Sequence, residues 1–136
     1  MKRSWALLGL LFAAGCSAFG GTGRELGPGG DSSASAWIES DQRTVLIYET
    51  GGACDESAEV KVRETPEVVE IAVTIHSSDG ECIMLGVPRT YEAVLREPLG
   101  SRRLVSGNGI EYPRAAYKPP NHSGEYKIPV TVERED

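Results

Sequence analysis

Hydrophobic and polar residues alternate most regularly between positions 59 and 76 of this chain. Charged residues alternate with valines in residues 59–64, and apolar residues occupy every second position in residues 69–76. Successive side chains of a strand point to opposite faces of a sheet, so this alternation predicts two strands, each with one buried and one hydrated face. The residues between them, 65–67, include Pro66 and favour a tight turn. The two segments therefore predict a β-hairpin.

Five further segments have the composition or the alternation of strands. They are residues 44–48, 82–87, 90–95, 102–105 and 126–132. The second of these is apolar throughout, so we expect it to be buried and to end at Pro88. In the third, alternate residues from Tyr91 to Leu95 share the face that we expect to be buried. Pro129 cannot donate to a backbone ladder and predicts an edge strand or a bulge.

Short strands at intervals of about 8–12 residues, separated by turn signals, are typical of all-β domains. We therefore expect residues 38–133 to form a small antiparallel β-sandwich or meander, immunoglobulin-like in architecture, followed by a solvated tail at 134–136. Residues 16–37 are rich in glycine and serine, which predicts a flexible linker. A coil of about twenty such residues spans roughly 25 Å and would hold the domain clear of its attachment point.

The N-terminal segment has the layout of an export signal. A basic start at Lys2 and Arg3 precedes an uncharged, largely apolar run from Trp5 to Ala14. This run has about ten residues, whereas a helix that crosses a bilayer needs about twenty. We therefore expect residues 1–15 to be a signal peptide that is removed on export, and not a transmembrane helix.

This segment ends in Ala13-Ala14-Gly15-Cys16, which resembles the lipobox of bacterial lipoproteins. The resemblance implies that the signal is cut before Cys16 and that this cysteine carries a diacylglyceryl group, often with a third chain such as palmitate. Two or more acyl chains make a stable anchor. The expected location is therefore the cell envelope, on the outer face of the cell membrane or, in a Gram-negative source, on the outer membrane.

The cysteine count agrees with this resemblance. The chain has three cysteines, and lipidation of Cys16 would leave Cys54 and Cys82 to form a disulfide. Residues 44–104 contain, in order, the turn Gly51-Gly52-x-Cys54, the alternating hairpin, Cys82, and the turn Pro98-Leu99-Gly100-x-Arg102. That combination resembles small exported β-domain lipoproteins of actinobacteria. It implies an all-β fold and export, and it implies no particular chemistry.

The charge balance argues against two classes of partner. Removal of a signal that contains Lys2 and Arg3 would leave 12 basic against 20 acidic residues, a net charge of −8. Proteins that bind nucleic acid need a basic footprint, so nucleic acid is not an expected partner. The same balance argues against electrostatic attachment to anionic lipids.

Candidate catalytic and metal-binding residues are few. His76 precedes Ser77-Ser78-Asp79, but the members of a catalytic triad meet in space and not in sequence, so we expect a hydrated strand end here. His122 has no second histidine nearby to complete a metal site.

Acidic residues offer one further alternative. Asp55-Glu56 and Asp79-Gly80-Glu81 lie beside the two cysteines, and a disulfide would bring them to one end of the domain, where oxygen ligands could bind calcium weakly. The strand carboxylates fall on polar positions of the alternation: Glu59, Glu64, Glu70 and Glu92. We therefore expect an apolar interior that leaves no room for a buried polar site, and no cofactor.

Elimination leaves a protein that acts by binding and not by catalysis. We expect a non-enzymatic interaction or structural β-module, attached to the membrane through Cys16, with an envelope protein or a small ligand as its partner. Its expected binding surface is the proline-rich loop at 110–124 and its neighbourhood, through Tyr112, Tyr117 and Tyr126. This loop could instead cover an open sheet edge. The alternative function is a small-ligand or ion-binding accessory subunit of a transport or sensing system.

Overall fold

The computed structural model describes residues 23–28, 33–83, 85–120 and 127–136. These residues form eight strands: β1 (Gly23–Leu26), β2 (Ser35–Ile38), β3 (Thr44–Gly52), β4 (Asp55–Glu64), β5 (Val68–Ser77), β6 (Gly86–Val94), β7 (Arg103–Val105) and β8 (Val130–Glu135). No helix in the described part of the chain is long and apolar enough to cross a membrane. The all-β prediction is confirmed.

The strands form two sheets. The larger sheet has the order β1-β5-β4-β8, with β7 also beside β5, and the smaller sheet has the order β2-β3-β6. The predicted hairpin is the pair β4 and β5, in which Val62 lies opposite Ile71 and Glu64 opposite Val69. Most pairs are antiparallel, but β8 pairs with β4 and β7 pairs with β5 in parallel.

One hydrophobic core lies between the inner faces of the two sheets. It takes alternate residues from the larger sheet, chiefly Val60, Val62, Ile71, Val73 and Ile75, and from the smaller sheet, chiefly Val45, Ile47, Tyr91 and Ala93. Burial of each large apolar side chain contributes about 1.5–3 kcal/mol, so this continuous layer is the main source of stability. The inward face predicted for residues 90–95 is confirmed.

The prediction of a flexible linker at residues 16–37 is wrong where the two N-terminal strands lie, since β1 falls inside this range and β2 begins inside it, at Ser35. Gly23 pairs with His76, and Leu26, which is fully buried, pairs with Val73 at the edge of β5. In β2, Ala36 is also fully buried. Backbone pairing to existing strands and the burial of a few apolar side chains outweigh the low strand propensity of a glycine-rich segment.

Three boundaries also differ from the sequence-based prediction. Cys82, Ile83 and Leu85 lie outside the strands, and Ile83 is 71% exposed, so the expected buried strand at 82–87 is wrong. β6 begins at Gly86 and continues through Pro88, which is tolerated because β6 pairs only with β3 among the described strands. Residues 134 and 135 continue β8 and are not a free tail.

The chain after β7 crosses from one sheet to the other. Tyr112 N–H donates to Leu104 O (3.0 Å), Ala36 N–H donates to Pro113 O (2.9 Å), and Ala115 N–H donates to Ala36 O (2.9 Å). The segment therefore covers the outer edge of β2, which is the alternative that the sequence left open for this loop.

Candidate functional site

The predicted disulfide is present and defines one end of the sandwich. Cys54 lies between β3 and β4, Cys82 lies between β5 and β6, and their Cα atoms are 5.8 Å apart. Ser78 N–H donates to Cys54 O (3.0 Å), which adds a second link between the same two connections. We call this the disulfide end; β1, β4 and β6 begin there and β3 and β5 finish there.

Asp55 links the two sheets at the disulfide end. Its Oδ2 accepts hydrogen bonds from Arg89 Nη1 (2.8 Å) and from Gly52 N–H (2.9 Å), and its Oδ1 accepts one from Ser77 Oγ (2.9 Å). Arg89 Nη1 also donates to Gly52 O (3.0 Å). Asp55 begins β4 and Arg89 lies on β6, and both side chains are buried, so a buried charge pair joins one sheet to the other.

Glu49 lies deeper, on the inner face of β3. Its side chain is 1% exposed, and Tyr91 Oη donates to its Oε1 (3.1 Å). Its Oε2 has no hydrogen-bond partner among the described residues and faces Arg24 Nη1 at 3.5 Å. Burial raises the pKa of Glu49, and the positive charge of Arg24 opposes that rise. Burial and the nearby Glu49 carboxylate also raise the pKa of Tyr91.

Arg24, on β1, closes the cluster from outside. Its Nη2 lies 3.7 Å from Asp55 Oδ2, and its side chain is half-exposed. A Cβ at Gly51 would lie 2.6 Å from Asp55 Oδ2 and would also collide with Arg89 Nη1, so a larger residue here would displace this charge pair. We call the set Arg24, Glu49, Asp55, Arg89 and Tyr91 the buried ion cluster. It joins four strands from both sheets, including the N-terminal strand.

The buried ion cluster corrects the expectation of a wholly apolar interior. The sequence carries a signal for it in the parity of two charged residues. Glu49 follows Val45 and Ile47 at the inward parity of β3, and Arg89 has the inward parity of Tyr91 on β6. The strand predicted at 44–48 stops one residue before Glu49, and Arg89 falls between the strands predicted at 82–87 and 90–95, so neither charged residue was assigned to a strand.

The histidine and calcium hypotheses gain no support. His76 Nε2 lies 3.6 Å from Glu59 Oε2, while the Ser77 hydroxyl is bound to Asp55, so the His-Ser-Ser-Asp string does not assemble a triad. Asp55 is engaged by Arg89 and is not free to bind calcium. Within residues 23–28, 33–83, 85–120 and 127–136, no group of three or more histidine, cysteine or acidic residues could hold a metal ion.

The three tyrosines proposed as a binding surface have different environments. Tyr112 is 2% exposed and its Oη donates to Ile71 O (2.7 Å), so its assignment to the surface is wrong. Its ring fills the core beneath the crossing segment, and its hydroxyl finds a backbone acceptor there. Tyr117 is 86% exposed. Tyr126, together with Cys16 and His122, lies outside the described residues.

The outer faces of the two sheets differ in charge. The outward positions of the larger sheet hold mostly charged and polar residues, with Val68 and Ala72 as apolar exceptions: Glu59, Lys61, Arg63, Glu70, Thr74, His76, Thr131, Glu133 and Glu135. The outward positions of the smaller sheet hold one charged residue, Glu92, among uncharged ones: Ser35, Trp37, Thr44, Leu46, Tyr48, Thr50, Pro88, Thr90 and Val94. Leu46 is buried there, at 8% exposure. We call the second surface the aromatic face, since Trp37 and Tyr48 are partly exposed on it.

The aromatic face continues past the edge of β2. Glu39 accepts a hydrogen bond from Trp37 Nε1 (3.5 Å) and pairs with Lys118, which follows the exposed Tyr117. The backbone contacts of Ala115 with Ala36 hold this segment beside β2. No protein-family model, curated protein or solved structure matches the chain.

Proposed function

We propose that this protein is an exported lipoprotein, anchored to the outer face of a membrane through Cys16, which acts as a non-enzymatic interaction module. The observation that carries the proposal is the contrast between the two outer faces, one charged and one with a single charge. A solvated sheet face normally alternates with charged residues, as that of the larger sheet does. The aromatic face departs from that pattern and is our candidate binding surface.

The composition of the aromatic face supports binding to another macromolecule. Protein interfaces are enriched in tryptophan and tyrosine and depleted of charged residues at their centre. Trp37 lies opposite Leu46, and Tyr48 follows Leu46 at the next outward position of β3, so the large side chains are contiguous across β2 and β3. Tyr117 extends the surface at the β2 edge.

The disulfide supports export and the anchor. Disulfides persist in oxidising compartments outside the cytosol. The Cys54–Cys82 bond accounts for both cysteines of the domain and leaves Cys16 as the odd one, directly after the signal-like segment.

The groups with shifted pKa values are buried, which argues against catalysis. Catalytic groups with perturbed pKa values lie in clefts that a substrate can enter. The groups with raised pKa values here are Glu49, Tyr91 and Tyr112, and all three side chains are buried.

The alternative of a small-ligand module draws less support. A cavity of about 200 Å³ lies at the end of the sandwich opposite the disulfide, whereas ligand pockets usually enclose about 300–1,000 Å³. It is lined by Val62, Glu64, Arg96, Arg134, Glu135 and Asp136.

Site-specific photocrosslinking in cells tests the binding surface. A photoreactive phenylalanine analogue at position 48, on the aromatic face, should give a discrete adduct with one partner. The same analogue at position 61, where Lys61 is exposed on the larger sheet, is the matched control. Equal adducts at both positions, or an adduct at position 61 alone, would contradict the proposed surface.

Membrane fractionation tests the anchor. Cys16→Ser should release the protein from the membrane or leave an uncleaved precursor. Ser17→Ala, one residue further on, should leave fractionation unchanged. A Cys16→Ser protein that is cleaved normally and still fractionates with the membrane would refute anchoring through this residue.

A further inference from the structure

We infer that the disulfide end faces the membrane and that Ile83 and Leu85 enter the lipid interface there. This inference rests on the proposed anchor at Cys16. It assigns a second contact with the membrane to the folded domain itself, in addition to the acyl chains.

The first observation behind this inference is the position at which the chain enters the folded domain. β1 begins at Gly23, which pairs with His76 at the disulfide end. Six residues separate Cys16 from Gly23, and a fully extended chain of seven residues reaches about 25 Å. As a flexible coil the same length spans only about 15 Å. The tether is therefore much shorter than the predicted linker, and it leaves the domain from this end.

β1 is fixed firmly enough to define an orientation. Its four residues pair with β5, Leu26 is buried in the core, and Arg24 faces both Glu49 and Asp55 of the buried ion cluster. A pull on the tether therefore acts on the sandwich and not on a loose terminal segment. The long strands, about 30 Å in length, then place the opposite end far from the anchor.

Two exposed apolar side chains lie at this same end. Ile83 is 71% exposed and Leu85 is 43% exposed. Leu85 N–H donates to Ile83 O (2.9 Å), and Cys82, next to Ile83, is bonded to Cys54. Large apolar residues held together at a protein tip, on the side from which a lipid tether leaves, have the chemistry of an interfacial membrane contact.

The charges at the disulfide end decide which lipids suit the contact. Glu56, Asp79 and Glu81 are exposed there, and Arg24 is only half-exposed. These acidic groups oppose an anionic surface, so insertion of Ile83 and Leu85 supplies the contact and electrostatic attraction does not. Zwitterionic phosphatidylcholine is therefore the appropriate probe. A protein partner at this tip is the competing occupant.

The chain offers a matched control residue. Val94 is 42% exposed, almost the same fraction as Leu85, but Leu85 directly precedes β6 and Val94 is its last residue. β6 has nine residues and is about 30 Å long. A reporter at position 85 should therefore lie at the lipid interface, and the same reporter at position 94 should lie in water.

The test uses residues 16–136, which keep every described residue and the disulfide. The free Cys16 thiol is coupled to a maleimide lipid in phosphatidylcholine vesicles, so the domain is tethered whether or not cells lipidate it. Leu85→Trp and Val94→Trp are compared in a Trp37→Phe background, with and without brominated acyl chains. We expect a blue shift and about twofold quenching for Leu85→Trp, because interfacial residues reach the acyl boundary. We expect neither for Val94→Trp.

Two results would overturn the inference: no quenching at either position, or equal quenching at both. Emission from Leu85→Trp that shifts only when another envelope protein is added would also overturn it, in favour of a protein partner. Because the coupling is chemical, quenching confined to Leu85→Trp would stand even if Cys16 were not lipidated in cells. Lipidation with no quenching would refute this inference alone.

Discussion

The two ends of the sandwich each hold a carboxylate near arginine residues, but the two carboxylates differ in protonation behaviour. Glu49, near the disulfide end, has one hydroxyl donor and an oxygen without a hydrogen bond among the described residues, and burial raises its pKa. Glu64, at the opposite end, accepts hydrogen bonds from Arg96 N–H (2.6 Å) and Arg102 Nη1 (3.2 Å). Burial alone would raise the pKa of Glu64, but these hydrogen bonds lower it.

The comparison shows that depth of burial and the number of hydrogen-bond donors together set the direction of the pKa shift of a carboxyl group, and that a nearby arginine alone does not. The two ends also differ in how many acceptors the arginine at each end has. Arg102 donates to the carbonyls of Thr65, Glu97 and Pro98 besides Glu64. Arg89 has only Gly52 O besides Asp55, and its Nε is unpartnered among the described residues.

The largest expected effect is that of Asp55→Ala. It would leave Arg89 buried without its carboxylate, and breaking a buried pair in this way costs about 3–5 kcal/mol. Glu64→Ala should cost about 1–2 kcal/mol, since Arg102 keeps its carbonyl acceptors. Urea unfolding of both variants measures the difference. Equal losses of unfolding free energy in the two variants would contradict the claim that the arginine at the disulfide end depends more on its carboxylate.

Loss of the disulfide should have the next largest effect. Replacement of Cys54 and Cys82 by serine opens a loop of 28 residues. The chain-entropy model gives a loss of about 3.5 kcal/mol for a loop of this length. Denaturant unfolding of the double variant should show this loss, and dithiothreitol should lower the stability of the wild type but not of the variant. A double variant as stable as the wild type would contradict a structural role for the bond.

Glu49→Gln and Glu64→Gln should change the pH dependence of unfolding in opposite directions. The pKa of Glu49 is raised above its ordinary 4.5, so its contribution to stability is present below that pH and is lost as the pH rises through the folded pKa. The pKa of Glu64 is lowered below 4.5, so its contribution is present above that pH and is lost as the pH falls through the folded pKa.

Glutamine does not titrate, so each variant removes the pH-dependent contribution of one carboxyl group. Stability of Glu49→Gln should therefore fall less than that of the wild type as the pH rises, and stability of Glu64→Gln should fall less as the pH drops. Urea unfolding of each variant over a series of pH values measures both trends. A common direction for the two variants would refute the assignment of opposite pKa shifts.

The smallest effects should come from exposed ion pairs at either end. His76 faces Glu59 at 3.6 Å at the disulfide end, and Arg63 pairs with Glu70 at 2.8 Å near the other. Exposed pairs contribute little, so His76→Ala and Arg63→Ala should each change the free energy of unfolding by about 0.5 kcal/mol or less. A loss near that of Asp55→Ala for either variant would show that burial does not explain the comparison.

The strands that were predicted from sequence carry their own local pattern. The alternation of β4 and β5, and the inward face of Tyr91 and Leu95 on β6, follow from the period of two alone. The disulfide followed from the cysteine count and the lipobox resemblance.

The features that were missed depend on partners distant in sequence. β1 contains one large apolar residue, Leu26, and exists because the edge of β5 is there to pair with it. The parallel pairings of β7 with β5 and of β8 with β4 have no local sequence signature either. Tyr112 looked like a surface residue because only the folded structure brings Ile71 O within reach of its hydroxyl.

The aromatic face was missed for a related reason. The outward positions of β3, among them Leu46 and Tyr48, could be read from alternation. Their contiguity with Trp37 depends on the register of β2 and β3, which the sequence does not state. Local pattern therefore predicts which side chains share a face of one strand, and tertiary pairing decides which surface they build.

Intact mass spectrometry of the protein extracted from native membranes tests the central claim of a lipid-anchored domain most directly. The account predicts a chain that begins at Cys16, with the mass of a diacylglyceryl group on this residue and a Cys54–Cys82 disulfide. A third acyl chain would agree with the same claim. A mature chain cut elsewhere, or one that begins at Cys16 with no added lipid, would contradict it.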